Sequence, residues 1–85
     1  MGQKFLNEPT EVEAVFSAEG AVQVRSFRWN NKRWPVFSQG RQWDAPDGRR
    51  HTLVMTARER VYELAYDRAA AQWCVVMASE DRLMG

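Results

Sequence analysis

Apolar side chains recur at every second position over most of this chain. Val12, Ala14 and Phe16 alternate with Glu11, Glu13 and Val15. A period of two is the pattern of a half-buried strand, since successive side chains point to opposite faces. It predicts strands over Glu11–Phe16, Val22–Trp29, Arg33 to about Gln39, about Arg50–Ala57, Val61–Tyr66 and Gln72–Ala78. Turn chemistry separates them. Ser17–Gly20, Ala45–Gly48 and Asp67–Ala71 are reversals, and Asn30-Asn31 is a hairpin signal, because Asn tolerates the positive φ of a type I′ turn. Pro35 cannot donate to a ladder, so it marks an edge or a bulge. Two stretches stay open. Arg58–Ala71 is rich in helix formers, but its apolar positions make no clean stripe, so strand is preferred to helix. The span from Gln39 to about Met55 holds a long polar loop or a swollen hairpin.

Short strands joined by tight turns suggest a mainly β domain. The expected form is a five- to six-stranded antiparallel barrel or rolled sheet of SH3-like or Tudor-like size. The expected core is Val12, Val24, Phe27, Leu53, Tyr62, Leu64, Trp73 and Val75. In plain alternation, Arg25, Phe27 and Trp29 share one face of their strand, and Val22, Val24, Ser26 and Arg28 the other. Across the turn, Trp34, Val36 and Ser38 lie opposite Arg33, Pro35 and Phe37, with Phe37 a candidate for the core.

Length makes residues 1–85 a single small domain, with ordered residues expected over about 5–78 and a frayed tail over 79–85. The lone Cys74 allows no internal disulfide, which fits a reducing cytoplasm. The first ten residues have no apolar core of a signal peptide, and no apolar run approaches membrane-spanning length.

Charge changes the picture. The formal net charge is only +1, yet residues 20–43 carry Arg25, Arg28, Lys32, Arg33 and Arg41 and no acid. The same window holds Trp29, Trp34 and Trp43. Cations interleaved with flat rings suit a phosphate backbone with stackable bases. They equally suit a hairpin whose rings pack inward while its arginines stay wet. The candidate ligand-binding residues are therefore Arg25, Arg28, Trp29, Lys32, Arg33, Trp34, Arg41 and Trp43.

Catalytic chemistry is not expected. His51 is the lone histidine, read as an exposed loop or strand-end residue, and Cys74 as a buried inert thiol. No Cys pair or second His offers a dedicated metal site, and no glycine-rich phosphate loop exists, so no cofactor is expected. Glu11 and Glu13 share a face and are read as solvated.

Some stretches carry a resemblance. Phe5–Glu13 (FLNEPTEVE), Arg25–Trp29 (RSFRW) and Val61–Asp67 (VYELAYD) with Trp73 following resemble a family of small uncharacterised bacterial β-domains. Related sequences stand at the C-terminus of polymerase-like proteins of DNA repair and mutagenesis. The likeness spans about residues 5–77 through short motifs. Here Asn30-Asn31 replaces a Gly-containing turn, Trp34 a common Tyr, and Ala71-Gln72 the Gly before Trp73. The resemblance implies a β fold and no particular activity. The functional expectation is a non-enzymatic binding or accessory module. Its partner is single-stranded nucleic acid or, in the alternative, a protein or peptide, with homodimers formed by edge pairing near Pro35 or through the last strand.

Overall fold

The computed structural model describes residues 3–79, with side chains described from Leu6 onward. Eight strands run in the order β1 (Gln3–Thr10), β2 (Val12–Phe16), β3 (Val22–Trp29), β4 (Lys32–Pro35), β5 (Ser38–Asp44), β6 (Arg49–Met55), β7 (Val61–Asp67) and β8 (Gln72–Ser79). They form two antiparallel sheets. One has five strands in the order β1-β8-β7-β6-β5, the other three in the order β2-β3-β4.

The expected mainly β, antiparallel architecture is therefore present, but as two sheets rather than one closed barrel. The chain passes between sheets at two corners, Glu11 and Val36–Phe37. The strand expected over Arg33–Gln39 breaks at the second corner. There the Val36 N–H donates to Arg25 C=O at 2.9 Å and the Phe37 N–H to Met55 C=O at 2.8 Å, so each residue bonds a different sheet. The long span after Gln39 is the β5–β6 hairpin. The helix alternative over Arg58–Ala71 gives way to β7, which lies between two strands. The N-terminal strand β1 carried no clear alternation and went unforeseen. Ser79, expected in the frayed tail, pairs with Gln3; the rest of that tail lies outside the described residues. β8 is interior to its sheet, which removes the last strand as a free edge.

Bulges set the phase of the core. On β3, Glu13 pairs with Ser26 but Ala14 with Val24, so Arg25 is an extra residue. Such an insertion moves the following side chains to the other face. Val22, Val24 and Phe27 are consequently all buried, and the simple two-face division of this strand is wrong. The same device on β8 makes Val76 the extra residue. Val75 and Ala78 then join Tyr62, Leu64 and Trp73 in the core. Phe27 meets Tyr62 edge-on at 4.9 Å.

Of the expected core, Val24, Phe27, Tyr62, Leu64, Trp73 and Val75 are buried, whereas Val12 and Leu53 are half-buried. On β6 the inward residues are Thr52 and Val54, which pair with Leu64 and Tyr62, and Leu53 takes the opposite face. Phe37, expected as a candidate for the core, lies at the corner between the sheets and is 70% exposed.

Two glutamines join the sheets. β4 is too short to cover β3 at Val22 and Val24, whose backbone groups face away from β2. Gln39 accepts from the Val24 N–H at 2.8 Å and donates to Val22 C=O at 2.6 Å. Gln42 accepts from the Val22 N–H at 3.3 Å and donates to the same carbonyl at 3.0 Å and to the Thr52 hydroxyl at 3.1 Å. A bulge at Gly40-Arg41 lets both glutamines reach the β3 backbone despite their odd spacing. Side-chain amides thus supply bonds a further strand would have made.

Candidate functional site

The β3–β4 hairpin builds the most distinctive surface. Asn30 and Asn31 adopt φ of 54° and 61°, as the sequence predicts for this turn. The register pairs Trp29 with Lys32, Arg28 with Arg33, Phe27 with Trp34 and Ser26 with Pro35. β4 is an edge strand, so Pro35 sits where a missing donor costs no ladder bond on the open side.

Trp34 is half-buried, and its Nε1 donates to Trp29 C=O at 3.0 Å, which fixes the ring. Two cations lie on that ring: Lys32 Nζ at 5.2 Å from the centroid and Arg60 Cζ at 5.7 Å. Each such contact contributes about 0.5–1 kcal/mol at an exposed site. The ring forms part of a hollow of about 440 Å³ lined by Lys32, Trp34, Ala57, Arg58 and Arg60. Among the described residues, this lining has three cations and no acid. Arg58 and Arg60 arrive from the β6–β7 connection. Nothing in the sequence near either arginine places them beside Trp34, and both were missed for that reason.

The other expected site residues do not join this hollow. Arg33 bonds Ser26 Oγ and Glu11 Oε1, each at 2.8 Å, so its charge is already partnered. Glu11 and Glu13 are exposed, but they serve this network, Glu13 accepting from the Ser26 hydroxyl at 3.2 Å. Arg28 and Trp29 line a separate shallow groove of about 580 Å³ that also contains Glu8 and Glu11. Its mixed charge disfavours a phosphate chain. Arg25 is exposed at the β3 bulge. Arg41 and Trp43 lie on the other sheet, with Arg41 Cζ 5.0 Å from the Trp43 centroid. The single basic-aromatic face read from the sequence is therefore several separate places.

His51 is buried, contrary to expectation. It lies in β6 beneath Trp43, stacked at 5.4 Å and 20°. Its Nδ1 is 2.6 Å from Glu63 Oε2 and its Nε2 3.1 Å from Asp47 Oδ2. A carboxylate only accepts, so both contacts are hydrogen bonds when both ring nitrogens carry protons. The Arg49 backbone N–H, opposed by desolvation and aided by the His51 and Arg49 side chains, holds the Asp47 carboxyl down at about 2. Asp44 is likewise lowered, first by its hydrogen bonds from Arg50, whose own value is raised in return. This cluster clamps the β5–β6 turn and is closed by its own partners. Cys74 is half-buried in β8.

Among the described residues, no group of three or more His, Cys, Asp or Glu is placed to hold a metal ion, and no helix is long and apolar enough to cross a membrane. Comparison of the chain with family models, with curated proteins and with solved structures finds no match.

Proposed function

We propose that this domain is a non-enzymatic binding module for single-stranded nucleic acid. One observation carries the reading: a fixed, half-buried Trp34 ring, with Lys32 and Arg60 over it, in a hollow whose described lining residues include the exposed cations Lys32 and Arg58. An unstacked base is flat and apolar on its face, and its phosphate is anionic, so one nucleotide matches both features of the hollow. Lys32 is exposed, and its ammonium can leave the ring for a phosphate when a base takes its place. A paired base cannot reach a ring set into a hollow, which favours single strands. The rolled, SH3-like or Tudor-like architecture that we take the two sheets to represent is compatible with this reading.

A second reading rests on Phe37, 70% exposed beside the β4 edge. It would make this corner a docking place for a protein, a peptide or a second copy of the chain. Salt separates the two. Single-strand binding weakens with salt by a slope of about 0.7 per phosphate contact. Titration of a fluorescent oligonucleotide at low and moderate salt tests the first reading. Trp34→Ala should cost about 1–3 kcal/mol of affinity with little change in slope. Absence of binding at low salt by folded protein refutes the nucleic-acid reading and leaves the docking one.

A further inference from the structure

Among the described residues, two turns each need two consecutive residues with positive φ. At β3–β4 the chain supplies Asn30 and Asn31. At β6–β7 it supplies Arg58 and Glu59, at φ of 63° and 57°. Asn accepts this region because its short side chain bonds nearby backbone, whereas Arg and Glu gain no such relief. A single left-handed residue, Ala71 at φ 53°, lies in the β7–β8 turn at the other end of β7.

Unrelaxed backbone in a binding surface calls for a role of the side chain it carries. Arg58 is exposed and lines the Trp34 hollow together with Lys32 and Arg60. Glu59, beside it, does not line that hollow. We propose that Arg58 contacts the phosphate of the nucleotide whose base lies on Trp34, and that the strained turn exists to present it. This assignment rests on the single-strand reading above. It sets stability against affinity at one position, since any residue that relaxes the turn also removes the cation.

The test compares five proteins: the parent, Arg58→Asn, Arg58→Lys, Glu59→Asn and Ala71→Asn. Each is melted, and each is titrated with fluorescein-labelled oligo-dT at low and moderate salt. Arg58→Asn should melt above the parent, bind more weakly and lose about 0.7 from the salt slope. Glu59→Asn should melt higher with affinity retained or increased. Ala71→Asn should melt higher with affinity unchanged, because its turn is remote from the hollow. Arg58→Lys should keep the parent's slope.

A parent that binds, with Arg58→Asn matching its affinity and slope, overturns the role of Arg58 and leaves the single-strand reading standing. Arg58→Asn melting below the parent shows that the arginine is kept for folding, which also overturns the assignment. A folded parent that binds no oligo-dT at low salt overturns both the assignment and the reading beneath it.

Discussion

Replacing Gln42 by Leu should destabilise this protein far more than its half-buried position suggests. Leu keeps roughly the same bulk, so little packing is lost. The Val22 N–H and the Thr52 hydroxyl, however, lose their bonds to the Gln42 amide. Thr52 is fully buried and Val22 nearly so. Each orphaned group costs about 1–3 kcal/mol, and partial access of water favours a total of about 2–4 kcal/mol. A chain of this length has about 4–13 kcal/mol in all. Val22 C=O survives the change, because Gln39 still donates to it. Gln39→Leu alone orphans only the Val24 N–H and should cost about 1–2 kcal/mol. In the double variant the Val22 carbonyl loses both donors, so the combined cost should exceed the sum by about 1–2 kcal/mol. Urea unfolding of the four proteins measures the cycle, with an unchanged slope showing that the folded state is the same. Simple additivity, or a cost for Gln42→Leu below about 0.5 kcal/mol, would mean that water replaces the amides and that the glutamines do not join the sheets.

Other consequences are more direct. Leu64→Ala, at a fully buried position facing Thr52 and Val75, should cost about 2–5 kcal/mol, and a melting temperature within a degree or two of the parent would remove Leu64 from the core. Asp47 gives a pH signature with a definite sign. Its carboxyl lies at about 2 in the folded protein against about 3.9 unfolded, so its contribution is complete above about pH 4 and disappears as pH falls through about 2. The stability difference between the parent and Asp47→Asn should therefore shrink over that range, and a difference constant with pH would refute the assignment.

The resemblance of this sequence to a β-rich pattern was a local matter, and so it was legible. Alternation in Val12–Phe16, Val61–Tyr66 and Gln72–Ala78 needs only a strand with one buried face. The Asn30-Asn31 turn and the edge position of Pro35 follow from the φ range and missing donor of single residues. Charge counting drew attention to Lys32 and Trp34, which do share a hollow.

Tertiary structure decided what depends on partners distant in the chain. The bulge at Arg25 arises from pairing with β2, and it moved Phe27 onto the face of Val24 where strict alternation placed it opposite. Similar irregularities on β5 and β8 explain why Gln39 and Gln42 both reach β3 and why Val75 and Ala78 are both buried. His51 reads as a surface residue until Glu63, Asp47 and Trp43 close around it. Arg33 reads as a free cation until Glu11 meets it. Arg58 and Arg60 belong to the Trp34 hollow only because the β6–β7 connection ends beside β4. A period of two records which residues alternate, since that is fixed by the backbone of one strand. It carries no record of an inserted residue, a buried polar partner or a cation brought from another strand, since those are settled by the energy of the packed whole.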